Sequence, residues 1–206
     1  MEKLKPCQRN RLGKSGIYFS GMALLLNNDE SDQRTIMYDG TQYQLMAEYN
    51  RWMNEKIYTI CLGIPDEKRK EDLGAFFKSI HGTLDHILWG NRALWGRLIQ
   101  KPIEVTVIGQ ILYTDFDELW AEQQKLDDEL VQWTHTLDPE WLQSSLKYTS
   151  FVDGKRREIP HWVMVTHLFN HQTHHRGQVT TLMKQLGYDP GITDLPWTPA
   201  LNAVVD

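Results

Sequence analysis

The segment PHWVMVTHLFNHQTHHRGQVTTLMKQLG, residues 160–187, decides how the whole chain is read. Pro160 suits the first turn of a helix, where its missing N–H costs nothing. Gly187 suits the left-handed residue that closes one. Between them Val163 or Met164, Leu168, His171, His175, Val179, Leu182 and Leu186 recur at three-and-four spacing and form one stripe. His171 and His175 therefore point where a core should lie. Side chains four apart on a helix sit about 5–6 Å from each other, so two imidazoles at this spacing can converge on one metal ion. The competing reading is a polar core network, in which each ring finds its own hydrogen-bond partner. Spacing alone leaves both open. The zinc-protease pattern His-Glu-x-x-His carries its general base next to the first histidine. Here that position is Gln172, which cannot take a proton, so this helix supplies no base of that kind.

Three more helices fit upstream. Leu45, Tyr49, Trp52, Met53, Lys56, Ile57 and Ile60 share one face of a first helix that begins near Tyr38 and ends by Pro65. Leu84, Leu88, Asn91, Trp95 and Leu98 make the stripe of a second, over roughly 74–99, stopped by Lys101-Pro102. Phe116, Leu119, Trp120, Gln123, Leu126, Leu130, Trp133 and Leu137 do the same over 116–137, with Asp115 and Glu118 as a capping pair. The mixed run DEKRKED (66–72) reads as a solvated loop or short helix. Residues 146–159 lack helical period, and Asp153-Gly154 signals a two-residue hairpin turn. The tail after Gly187 holds three prolines and Trp197 and reads as irregular chain over the bundle. The fold class is all-α: a four-helix bundle with a short hairpin before its last long helix, its helices expected near-antiparallel.

Residues 1–36 differ from the rest. They run from a basic start (Lys3, Lys5, Arg9, Arg11, Lys14) through the apolar stretch Ile17–Leu26 into NNDESDQR. That is the order of a secretory signal, but small residues are missing where cleavage would fall. The reading adopted is an extension outside the bundle domain, which spans 37–206, with Met37 as an alternative start.

Composition narrows the partners. The 206 residues carry a net charge of −5, without the basic footprint of a nucleic-acid binder. KRK (68–70) and KRR (155–157) are each flanked by acids, which weakens a DNA-binding reading further. No apolar run approaches the ~18 residues of a membrane span. Cys7 and Cys61 cannot build a disulfide framework. A cytoplasmic location is expected.

Four of the eight histidines fall at 167, 171, 174 and 175. A third ligand for His171 and His175 must come from another helix, and His81 and His86 are the candidates there. Periodicity favours His81, which continues the Leu84/Leu88/Trp95 stripe. His86 lies beside Gly82, Thr83, Gly90 and Ala93, small residues that leave room for an ion or a substrate.

HLFNHQTHHRGQVTTLMKQLGYDPGITDLPW (167–197), AEYNRWMNEKIY (47–58) and AFFKSIHGTLDHILWGNRALWGRL (75–98) together resemble the DinB-like, damage-inducible family in motif, order and spacing. The resemblance covers roughly residues 40–198. It implies a four-helix bundle holding a divalent metal on three histidines. The pattern Ser79-Ile80 with Leu84-x-His86 selects His86, and His-x-x-x-His selects His171 and His175. It also implies kinship with transferases and isomerases that use low-molecular-weight thiols such as bacillithiol or mycothiol.

Three neutral imidazoles on a divalent cation leave coordination positions open, as catalytic sites do. A bound water could then be acidified to a pKa near ~7, or a thiol deprotonated into a nucleophile. Zinc, nickel, iron and manganese all accept imidazole. His167 and His174 are candidates for the layer around the ligands, against ordinary hydrogen-bonding roles. Arg176 is a third, either fixing an anionic substrate or tying down the tail. The expected function is a metal-dependent thiol S-transferase or hydrolase acting on a small molecule. The alternative is a non-catalytic, metal-binding stress-response protein. Trp89 and Trp95 lie six residues apart, about 240° around the helix, so one must face a second apolar environment. The tail around Trp197 or a partner subunit could provide it, and a homodimer is expected.

Overall fold

A computed structural model describes residues 40–101 and 107–201. Within them the helices are α1 (Thr41–Leu62), α2 (Asp66–Arg69), α3 (Ile80–Leu98), α4 (Phe116–Thr134), α5 (Pro139–Gln143) and α6 (His161–Gln185). The strands β1 (Ser145–Thr149) and β2 (Arg156–Pro160) pair antiparallel directly before α6, with Leu146 opposite Ile159. The readings of residues 1–36 lie outside the described residues.

The four long helices make the bundle. α1 and α4 run antiparallel, as the pairs Asn54–Asp127 and Tyr58–Trp120 require. α3 and α6 do likewise, with His86 against His175 and Gly90 against His171. α1 lies parallel to α6, Tyr43 meeting Phe169 and Arg176 covering Tyr49. α3 and α4 are therefore also parallel, and Arg92 and Trp95 reach Glu122 and Trp133. Two of the expected antiparallel neighbours are thus parallel. The physical cause is the long connection after α3, which returns to the start of that helix before α4 begins. It is held there by α3 itself. Asp85 accepts the backbone N–H groups of Leu112 and Tyr113 at 2.9–3.0 Å, and His81 Nε2 donates to the Tyr113 carbonyl at 2.8 Å.

Met53, Ile57, Leu84, Leu88, Leu119, Leu130, Leu168 and Val179, all from the expected stripes, are buried in the core. Between α1, α4 and α6 that core turns polar. Asn54 and Gln123 donate to Asp127 at 2.9–3.0 Å, and the Arg176 charge lies near them. Burial, opposed by these donors and by Arg176, raises the Asp127 carboxyl to about 7.

Several boundaries differ from expectation. α3 starts at Ile80 rather than near residue 74, because Ser79 caps it by accepting the Gly82 N–H at 3.0 Å. The preceding chain turns tightly, with Lys78 at φ 67 and its carbonyl accepting the Leu73 N–H at 2.8 Å. α4 ends at Thr134, three residues early, and α5 follows as a short helix that periodicity did not reveal. Its signal was present as Asp138-Pro139, the Asp accepting the Trp141 N–H at 2.9 Å. The hairpin connection spans 150–155, longer than a two-residue turn, with Gly154 inside it at φ 66. The tail packs on α1, where Tyr49 donates to the Thr193 carbonyl at 2.6 Å. Trp197 is 58% exposed, so it covers no buried patch.

Candidate metal centre

α3 and α6 bring His86, His171 and His175 together. One ring nitrogen from each lies within 4.8 Å of the other two. That is wider than the ~3–4 Å set by bonds of ~2.0–2.1 Å to a common ion. The backbone makes the approach by omission. A Cβ on Gly90 would stand 2.9 Å from His171 Nδ1 and closer still to Cε1, so only glycine lets this ring cross the helix interface. The His86 ring is clamped between aromatic faces. It stacks on Phe77 with centroids 3.7 Å apart and on Trp89 at 5.4 Å.

All three imidazoles are held neutral. Burial, then the neighbouring His175, pushes His86 down to about 4. Burial and the surrounding histidines push His171 down to about 3. Burial also lowers His175, against the opposing bond to Gln178. His175 Nδ1–H donates to Gln178 Oε1 at 2.8 Å, which leaves the Nε2 lone pair of that ring free. His86 Nδ1 and His171 Nδ1 are buried without a hydrogen-bond partner among the described residues. Three neutral, converging rings with unspent nitrogens suit a cation.

The cluster opens into a cavity of about 580 Å³ between α3, α6 and the hairpin. Its walls are mainly apolar, from Phe77, Trp89, Leu94, Phe151 and Met164, and no Asp or Glu is among the described residues that line it. Gly90 and Ala93, two of the small residues next to His86 in sequence, provide the space.

Residues 37–203 match the DinB family. The chain belongs to the DinB family. It is 26% identical over 164 residues to Protein DinB of Bacillus subtilis (strain 168), which spans 72% of this chain and 88% of that protein. The crystal structure of a DinB-like protein from Bacillus cereus ATCC 10987 matches with a TM-score of 0.54 at 20% identity, over 68% of this chain and 91% of that one. At that identity the structural likeness speaks to the fold.

The remaining histidines of this DinB bundle divide by position. His81, five residues before His86, bonds through Nε2 to the Tyr113 carbonyl and is not part of the cluster. His167 and His174 are exposed and border the cavity, their rings 5.9 Å from His171 and 4.8 Å from His175. Arg176 is not beside the histidines. One residue further round α6, it is buried in the bundle next to Asp127, with its guanidinium 5.2 Å from the Tyr49 ring centre. That ring in turn bonds to the tail at Thr193, a position that suits the second of the two roles read for Arg176, tying down the tail. Trp89 and Trp95 do face different surroundings. Trp89 lies on the cavity beside Phe151, and Trp95, still partly exposed, packs on Trp133. Sequence reasoning assigned no role to Gln178, Phe77 or the hairpin residues. The apolar pair Phe151-Val152 at the tip of a hairpin was the available signal for the last of these.

Proposed function

We propose that this DinB-family chain is a divalent-metal-dependent enzyme, a thiol S-transferase in preference to a hydrolase, with His86, His171 and His175 as ligands. The observation that carries the reading is three neutral imidazoles converging at one end of a substrate-sized apolar cavity. The bound ion would supply positive charge that holds a thiol as thiolate at neutral pH. His86, His171 and His175 would hold the ion through one ring nitrogen each. The chain's own residues do the rest. Gln178 fixes the tautomer of His175, and Phe77 and Trp89 fix the plane of His86. The apolar walls exclude water from the reacting end of the substrate. His167 and His174, at the cavity edge, are the groups placed to take a proton. Hydrolysis is the weaker branch, because among the described residues the walls hold no carboxylate to activate water. That same lack is what favours a non-catalytic metal-binding stress protein as the second reading.

The test is metal analysis of untagged protein, followed by thiol consumption with a panel of electrophiles. Metal-dependent turnover that disappears in His171→Ala supports the enzyme. One equivalent of metal without turnover across the panel supports the binding protein, and no metal sinks both. Zinc, nickel, iron and manganese each fit an imidazole set, and the same analysis names the ion. We place the protein in the cytoplasm, where low-molecular-weight thiols stay reduced, and as a homodimer with no nucleic-acid or membrane partner. No described helix is long and apolar enough to cross a membrane. Sedimentation checks the dimer, and a single species at the chain mass of 24.2 kDa would refute it.

A further inference from the structure

One cation in the cavity has no counter-charge among the described residues. Arg97 lies seven residues beyond Gly90 on α3 and reaches the cavity wall beneath the hairpin. Its guanidinium carbon is 4.2 Å from the ring centre of Phe151 and 5.4 Å from that of Tyr148. Stacking of this kind uses the faces of the guanidinium and leaves its in-plane N–H donors unspent. Nη2 is buried and has no hydrogen-bond partner among the described residues. Burial lowers the Arg97 pKa, and among the described residues no carboxylate lines the cavity to offset that loss of solvation. Across the helix interface lies His167, whose charged form is disfavoured by burial and then by Arg97. A half-buried guanidinium with a buried, unpartnered Nη2 gains a charge-assisted hydrogen bond when an anion reaches it.

The geometry points to Arg97 as the residue that selects the substrate, by binding the carboxylate or phosphate of an amphipathic organic anion. The apolar body of that molecule lies along Trp89, Leu94 and Phe151, and its reacting end reaches the three histidines. The length of the molecule follows from the helix. Gly90 stands against His171, and seven residues at about 1.5 Å each put the anionic group about 10 Å from the reacting end. This inference rests on the proposed function only in taking the cavity as the substrate site.

Binding of phenylhexanoate, phenylhexyl phosphate and neutral phenylhexanol to the full chain, measured by calorimetry, tests it. Both zinc-loaded and chelator-stripped protein are used. At least one anion should bind about tenfold or more tightly than the alcohol in both forms. The tighter of the two anions names the group recognised. The preference should vanish in Arg97→Gln. A second measurement needs no variant. The preferred anion, and not the alcohol, should protect Arg97 from phenylglyoxal, read by peptide mass mapping. Equal binding of acid and alcohol, retention of the preference in Arg97→Gln, or equal protection would overturn the proposal. Loss of the preference on stripping would also overturn it, since the anion would then sit on the metal. Failure of the chain to take up metal would sink the proposed function while leaving the stripped-protein comparison intact.

Discussion

Gly90→Ala separates the metal centre from the fold. The added Cβ would lie 2.9 Å from His171 Nδ1 and 3.3 Å from Nε2, with Cε1 nearer than either. Unstrained contacts between such atoms begin near ~3.5 Å. The ring must therefore retreat by about 0.6 Å at Nδ1 and by more at Cε1. Metal-ligand bonds tolerate only about 0.2 Å. Displacing a ligand in this way should cost about 10–100-fold in metal affinity, the range seen when the groups that orient a ligand are lost. Stability responds differently. Alanine in a helix interior is better than glycine by about 1 kcal/mol, and the obstructing atoms are the far end of a rotatable side chain. In the His171→Ala background the obstruction is gone, so Gly90→Ala should then raise the melting temperature by the full propensity gain. Zinc competition titrations on the single variant, and thermal melts on both variants and the double, complete the cycle. Zinc affinity within about threefold of the parent would refute the close-approach argument, as would an identical effect of Gly90→Ala on melting in both backgrounds.

Other outcomes follow from the same geometry. His86→Ala should abolish stoichiometric metal binding. His81→Ala should leave it intact while costing about 1 kcal/mol through the lost bond to Tyr113, and the two are told apart by metal content against urea melts. Asp127 holds its proton in the fold up to about 7, above its ordinary value of 3.8. Its contribution is therefore greatest below pH ~4 and is lost as pH rises toward 7. Asp127→Asn should remove that dependence and exceed the parent at pH ~8 by on the order of 1–4 kcal/mol, and a denaturant series showing no such crossover would count against the buried-carboxyl argument. A chain beginning at Met37, where the family match also begins, should melt within a few degrees of the full chain and keep its metal stoichiometry. A large loss of either would make residues 1–36 integral.

The helical stripes were legible because burial on one side of a helix imposes a period on the sequence. Leu84, Leu88, Leu119, Leu130, Leu168 and Val179 all land in the core for that reason. His171 and His175 were visible in the same way, as polar residues standing in an apolar stripe. Periodicity pointed to His81 over His86, and the structure separates them by what each ring touches. His81 bonds to a backbone carbonyl delivered by the chain after α3, whereas His86 meets α6. That chain is non-local, so no local pattern encodes where it lies. The parallel placement of α3 and α4 has the same origin. Amphipathic helices satisfy their apolar faces in either direction, and it is the connection, pinned by Asp85, that chooses. The cavity was beyond reach of the sequence for a further reason. Arg97, Phe151, Trp89 and Gln178 lie on three separate elements, and each alone reads as an ordinary surface or core residue. The packing of the hairpin against α3 and α6 encloses the space between them and leaves Arg97 half-buried, without an acidic partner among the described residues.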